Sequence, residues 1–179
     1  MDKQTNLREL QLVELEILKD FIRVCEELNV QYFLDSGTLL GCIRHKAFIP
    51  WDDDIDVSMP REDYEIFIKE GQKLLKDGYF LQNYNTDLEF IANFSKIRNT
   101  DTTFIESSIK DLKINHGVYI DIFPLDGYKP KEKMINSLNE KKRILYNIQI
   151  AKRYSNYTKP TTMKQKIATK ISDIIYRQM

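Results

Sequence analysis

Four carboxylates fall within five positions at Asp52-Asp53-Asp54-Ile55-Asp56, entered through Pro50-Trp51 and continued as Val57-Ser58-Met59. Like charges a few Å apart repel by on the order of several kcal/mol at intermediate dielectric. A chain that folds around such a run must expose it or neutralise it. Residues 54–59 alternate with period two, which reads as a strand with Asp54 and Asp56 on one face and Ile55 and Val57 turned to a core. Two same-face carboxylates at a strand end suit one or two divalent cations, which take oxygen ligands and phosphate partners. A solvated acidic loop is the bland alternative. A calcium loop fits poorly, because Val57 stands where its sharp turn needs glycine and Asp63 where glutamate is expected.

A third carboxylate lies in Gly117-Val118-Tyr119-Ile120-Asp121-Ile122-Phe123. Val118, Ile120 and Ile122 form one face, and Asp121 falls on the other between Tyr119 and Phe123. An acid in so apolar a strand is costly to bury unpaired, so it calls for a metal, a base or a hydrogen-bonded turn; a capped structural aspartate is equally compatible. Ser36-Gly37-Thr38 opens a short helix running through Leu40, Gly41 and Cys42, and offers N–H groups and hydroxyls to an anion, although most such triplets are plain turns. Lys96 and Arg98 are two apart in a strand pattern, share a face, and suit a phosphate clamp or an exposed strand. Arg44-His45-Lys46 forms a basic loop leading into the acidic run. Trp51, Tyr119 and Phe123 are candidates for pocket walls or for core. The chain has no Gly-Lys-Ser/Thr phosphate loop and no evident Ser/His/Asp or Cys/His arrangement.

Around these residues the patterning predicts an amphipathic helix over 7–29, from Leu10, Ile17, Leu18, Phe21, Cys25 and Leu28, stopping at Asn29. It predicts strands over 30–34, 54–59, 79–83, 90–97, 102–105 and 117–123. A helix beginning at Pro60 carries Tyr64, Phe67, Ile68, Leu74 and Leu75, and Asp77-Gly78 ends it. Helical patterns follow over 131–154 and from Thr162. The expected fold is α/β (α+β), a mixed sheet flanked by helices, with a core over 1–128 and a helical tail over 129–179.

Lys+Arg and Asp+Glu are both 27, which excludes a uniformly basic nucleic-acid binder. The balance hides an asymmetry. Residues 1–128 carry 14 basic and 24 acidic side chains, a net of −10; residues 129–179 carry 13 and 3, a net of +10. The basic tail either faces an anionic membrane or polymer or is a solvated face balancing the acidic core. Cys25 and Cys42 are too few for a disulfide framework, and with only His45 and His116 beside them they lack zinc spacing. With no apolar leader and no apolar run near ~18 residues, the expected setting is cytoplasmic, with peripheral contact at the inner face of a membrane through the tail.

Taken together, Gly37-Thr38-Leu39-Leu40-Gly41, then Arg44-His45-Lys46, then Phe48-Ile49-Pro50-Trp51-Asp52-Asp53-Asp54-Ile55-Asp56-Val57 resemble the signature of the LicD family. Asn115 to Asp126 is similar to that family's second block, with Lys96-Ile97-Arg98 between the two, and the resemblance spans about residues 7–128. It implies a nucleotidyltransferase-like fold and transfer of phosphocholine from CDP-choline, or of another phospho-alcohol from its CDP-activated form, to a cell-surface glycan or teichoic acid precursor. It implies that Asp54 and Asp56 bind Mg²⁺ or Mn²⁺, that Asp121 is the third carboxylate, and that Gly37 and Thr38 face the phosphates. Lys96 and Arg98 are then expected to steady the phosphates and Asp121 to help activate the acceptor hydroxyl. The roles of Asp52 and Asp53 stay open. Two alternatives are a transferase on the same fold that uses an NTP and releases pyrophosphate, and a non-catalytic metal- or partner-binding domain. Family members are usually longer, so a chain shortened relative to the family is expected.

Overall fold

The fold is seen in a computed structural model that describes residues 3–90, 92–107, 109–127 and Met163. Residues 1–110 and 114–127 form one compact unit; the other, 111–113 with 128–179, lies almost wholly outside the described residues, as do the expected tail helices over 131–154 and from Thr162.

The first unit opens with α1 (Lys3–Leu28). Its apolar stripe places Ile17, Phe21, Val24 and Cys25 in the core. Asn29 ends it in the left-handed region, φ 52. The Asn29 and Val30 N–H groups then donate to the Glu26 and Cys25 carbonyls, satisfying the orphaned end of the helix. There follow β1 (Phe33–Leu34), α2 (Ser36–His45), β2 (Asp56–Pro60), α3 (Arg61–Leu74), β3 (Tyr79–Gln82), β4 (Ser95–Asn99) and β5 (Val118–Leu125). Pro60 caps α3, with Glu62 and Asp63 in the first turn where the helix dipole favours acids.

The five strands form one mixed sheet in the order β1-β2-β5-β4-β3. Only β2 and β5 run parallel. Leu81, Ile97 and Ile120 align across three strands and, with Val57, Met59 and Ile122, form the apolar face. Phe21 of α1 and Phe67 of α3 close over it, their rings 5.1 Å apart. Each such side chain contributes ~1.5–3 kcal/mol by leaving water.

Three expected elements differ. Thr102–Ile105 is a loop, because Thr102 Oγ1 itself accepts the Val118 N–H at 2.9 Å, the donor a neighbouring strand would engage. The strand expected over 90–97 begins only at Ser95, since turn hydrogen bonds such as Phe90 N–H to the Asp87 carbonyl hold the segment before it. Helix α2 runs on to His45, so Arg44 sits in its last turn rather than in a loop; Lys46, at φ 54, ends it. Pro50 is too far along the chain to stop it sooner.

Candidate active site

The polar side of the sheet is organised by one row. Asp56, Asp121, Lys96 and Gln82 stand opposite one another across β2, β5, β4 and β3. Residues in register share a face, so the alternation that buries Ile55 and Val57 sets Asp56 beside Asp121. The Asp121 N–H also donates to the Ile55 carbonyl at 2.8 Å. The strand ladder begins at Asp56, and Asp54 lies just before it in irregular chain, with the same alternation of burial.

Asp121 is buried, and its carboxylate lies 2.9 Å from Lys96 Nζ. Burial pushes its pKa up to about 6 against the opposing pull of Lys96. Asp56 also rises to about 6, first through burial and then through Asp54 and Asp121; a hydrogen bond with the Ser36 side chain opposes this. Burial raises Asp54 too, helped by Asp52 and Asp53 and opposed by Lys96. The three expected ligands thus influence one another electrostatically and hold negative charge that the protein leaves only partly compensated. Oxygen donors with excess charge are the chemistry that Mg²⁺ or Mn²⁺ takes, although these three do not come within 4.8 Å of one another as a group. A tighter group lies alongside: carboxylate oxygens of Asp52, Asp53 and Asp54 all come within 4.8 Å of one another.

The Gly37-Thr38-Leu39-Leu40-Gly41 run has a packing reason. Gly37 and Gly41 are one turn apart on α2, and the chain after Lys46 returns along that glycine face. A Cβ on Gly41 would lie 2.8 Å from the Ala47 carbonyl oxygen and 2.9 Å from the Ile49 nitrogen. One on Gly37 would lie 2.6 Å from Asp52 Oδ2. Thr38 Oγ1 accepts the Asp56 N–H at 2.9 Å, and the Asp35 N–H donates to the Asp56 carbonyl at 3.0 Å. Asp35 also accepts from Ser58 Oγ and from the Ser36 N–H. Ser36, Gly37 and Thr38 therefore sit beside Asp35, Asp52 and Asp56 at the start of α2. Arg44 is exposed at the other end of that helix, about 12 Å along its axis.

Lys96 and Arg98 share a face but are not exposed strand charges. Lys96 is 4% exposed, with its ammonium 3.2 Å from the centre of the Tyr119 ring and 3.7 Å from Glu106. Arg98 is fully enclosed: Nε donates to Gln82 Oε1 at 2.6 Å, one terminal nitrogen to the Gly117 carbonyl at 2.8 Å, and the other reaches Glu106 at 3.5 Å. These bonds tie Arg98 of β4 to β3 and to Gly117, the residue just before β5. Tyr119 is a buried platform for both cations, Phe123 stacks on Phe94 at 4.6 Å, and Trp51 is 76% exposed, neither core nor an enclosed wall.

Helix α1 adds residues that the motifs do not mark. Gln11 Nε2 donates to the Asp52 carbonyl at 2.9 Å, tying the acidic turn to the helix. One turn on, Glu14 is 2% exposed, and its Oε2 has no hydrogen-bond partner among the described residues. Burial pushes its pKa up to about 8, with Asp54, Asp53, Asp52 and Asp121 adding to the rise in that order. Glu14 had a visible signal, standing three before Ile17 and four before Leu18 on the apolar stripe. Gln82 and Glu106 had none.

The LicD/FKTN/FKRP nucleotidyltransferase-domain family matches residues 29–165. The chain belongs to the LicD family. Its relatives include the lipopolysaccharide cholinephosphotransferase LicD of Haemophilus influenzae, 34% identical over 99% of this chain and 66% of that protein. An uncharacterised protein of Rickettsia prowazekii is 30% identical over 64% of this chain and 45% of its own length. The human ribitol 5-phosphate transferase FKRP is 42% identical over a 48-residue stretch, 27% of this chain and 10% of that protein. This LicD-family chain thus spans just under two thirds of the cholinephosphotransferase and less than half of the rickettsial protein. Among its described residues, no helix is long and apolar enough to cross a membrane.

Proposed function

We propose that this chain carries a metal-dependent phosphotransferase centre that moves phosphocholine, or a similar phospho-alcohol, from a CDP-activated donor to a hydroxyl of a cell-surface glycan, lipopolysaccharide or teichoic acid precursor. The observation that carries the reading is the register of β2 on β5, which sets Asp56 beside Asp121 with Asp54 at the strand entrance. Similarity along nearly the whole chain to a lipopolysaccharide cholinephosphotransferase supports the substrate class.

Asp54, Asp56 and Asp121 are the residues to hold Mg²⁺ or Mn²⁺. When bound, the ion neutralises diphosphate charge and stabilises the leaving CMP. The acceptor oxygen attacks the phosphorus that bears the alcohol, the bond from that phosphorus to the CMP oxygen breaks, and the hydroxyl proton leaves to a base. Asp121 suits that base. It is enclosed, its pKa of about 6 leaves it mostly ionised at neutral pH, and it can still take a proton. Lys96 orients that carboxylate from behind and adds positive charge at the floor of the site. Ser36, Gly37 and Thr38 present the start of α2 toward the donor phosphates. A soluble CDP-linked donor suits a cytoplasmic setting, at the inner face of a membrane when the acceptor is lipid-linked.

The test supplies CDP-choline, CDP-ribitol and CDP-glycerol in turn, with Mg²⁺ and a lipopolysaccharide or teichoic acid precursor, and follows the nucleotide product. Metal-dependent release of CMP with phospho-alcohol appearing on the acceptor is the expected result. Pyrophosphate release from an NTP, with no CMP from any CDP-alcohol, would replace the proposed chemistry by nucleotidyl transfer.

A further inference from the structure

Two cross-strand pairs lie side by side on the polar face of the sheet, Lys96 opposite Asp121 and Arg98 opposite Tyr119. Both cations are buried, and like charges two apart on one strand face repel. Buried cations need anions against them. Asp121 lies 2.9 Å from Lys96. Glu106, on the connection between β4 and β5, lies 3.7 Å from Lys96 and 3.5 Å from Arg98. The other acceptors on Arg98 are the neutral Gln82 side chain and the Gly117 carbonyl, so among the described residues Glu106 is the one carboxylate on that guanidinium. Glu106 also has a hydrogen bond with the Tyr119 side chain, whose ring centre is 3.2 Å from Lys96 Nζ and 4.6 Å from the Arg98 guanidinium carbon. One glutamate outside the acidic row thus holds both cations and the ring they share.

We propose that Glu106 is a positioning residue for the transfer reaction: by sharing Lys96, it keeps the ammonium on the Tyr119 ring and leaves Asp121 lone pairs open to the acceptor proton. The inference rests on the transferase reading, in which Asp121 is the base. Without the Glu106 charge, Asp121 is the one carboxylate left in contact with either cation among the described residues. An ammonium has three donors and a carboxylate about four acceptor sites. Released from Glu106, Lys96 closes on both oxygens of Asp121 and occupies the sites that the proton needs. Glu106 is joined to Asp121 through Lys96, so its loss acts on the chemical step and not on binding of the donor.

The experiment uses the full chain and Glu106→Gln, which keeps the shape of the side chain and removes its charge. Turnover of CDP-choline with Mg²⁺ and a lipopolysaccharide acceptor gives kcat and KM. In parallel, Lys96 is followed by nuclear magnetic resonance of ¹³C-lysine-labelled protein without metal or nucleotide. Protons over the face of an aromatic ring are shielded, so the Lys96 ε-methylene signal lies upfield in the native chain. The expected result is a kcat at least tenfold lower, a KM changed less than threefold, and a Lys96 signal moved toward that of exposed lysines. Circular dichroism checks that the variant folds; if it does not, Glu106→Asp, which withdraws the carboxylate by one methylene, is judged by the same thresholds. A kcat loss under tenfold, a KM change of threefold or more, or a Lys96 signal that stays at its native position overturns the proposal. Any of these in a chain whose native form is active defeats the proposal alone. A native chain that turns over no CDP-alcohol defeats the transferase reading, and the proposal with it.

Discussion

Asp121→Asn is expected to lower phosphocholine transfer by roughly 10²–10⁴-fold, the range typical for loss of a general base, with the far-UV circular dichroism unchanged. Asparagine matches aspartate in size, so the packing of β5 between β2 and β4 survives. What goes is the charge that receives the proton and faces Lys96 at 2.9 Å. Lys96 keeps Glu106 at 3.7 Å and the Tyr119 ring, so the ammonium is not left without partners. Stability changes through two opposed effects, the lost ion pair and relief of repulsion from Asp54 and Asp56. Activity does not: both proposed roles of the carboxylate vanish together. Timed CMP release from CDP-choline reads the effect, and wild-type turnover in this variant would remove Asp121 from the chemistry.

The second large effect is on stability. In EDTA, the protein is expected to lose stability as the pH rises from about 5 to 8. Glu14 moves from 4.5 in the unfolded chain to about 8, and Asp56 and Asp121 from 3.8 to about 6. Between those values the folded protein binds more protons than the unfolded one, so unfolding releases protons and alkali favours it. The folded state has its full advantage below the unfolded values and loses it as the pH climbs through the folded ones. At 1.36 kcal/mol per pKa unit, Glu14 alone is worth on the order of 5 kcal/mol across its window. Thermal melts in EDTA at pH 5 and pH 8 measure this, and Glu14→Gln should flatten the slope. Saturating Mn²⁺ should restore stability at pH 8 by about 2.7 kcal/mol at a hundredfold excess over its dissociation constant. A protein that melts higher at pH 8 than at pH 5 in EDTA would show that the carboxylates are not held out of water as described.

Much of this architecture is legible from local pattern. The alternation of Ile55 and Val57 against Asp54 and Asp56, and of Ile120 and Ile122 against Asp121, reports which face each strand buries, because a strand's period of two is local. Asn29 as the end of α1 and Pro60 as the start of α3 follow from backbone preferences of single residues. Strand order, however, is a long-range property. That Asp56 pairs with Asp121 across a parallel ladder, with Lys96 next in the row, is set by the whole sheet. The same limit governs Arg98. Its spacing from Lys96 marks a shared face, but its burial depends on Gln82, Gly117 and Glu106, distant positions that supply its acceptors. The loop at Thr102–Ile105 reads as a strand because the competing acceptor, a threonine hydroxyl on the Val118 N–H, carries no periodic signal. Glycine spacing in Gly37-Thr38-Leu39-Leu40-Gly41 suggests a turn for phosphate; the geometry shows that it also accommodates the returning chain and the Asp52 carboxylate.

The most direct measurement is a calorimetric titration of CDP-choline into the protein, once with Mg²⁺ and once with EDTA, repeated on Asp54→Asn. Binding with Mg²⁺ is expected to weaken at least tenfold both in EDTA and in the variant, because the aspartates grip the diphosphate only through a shared cation. Equal affinity in Mg²⁺ and EDTA, undiminished in the variant, would contradict it.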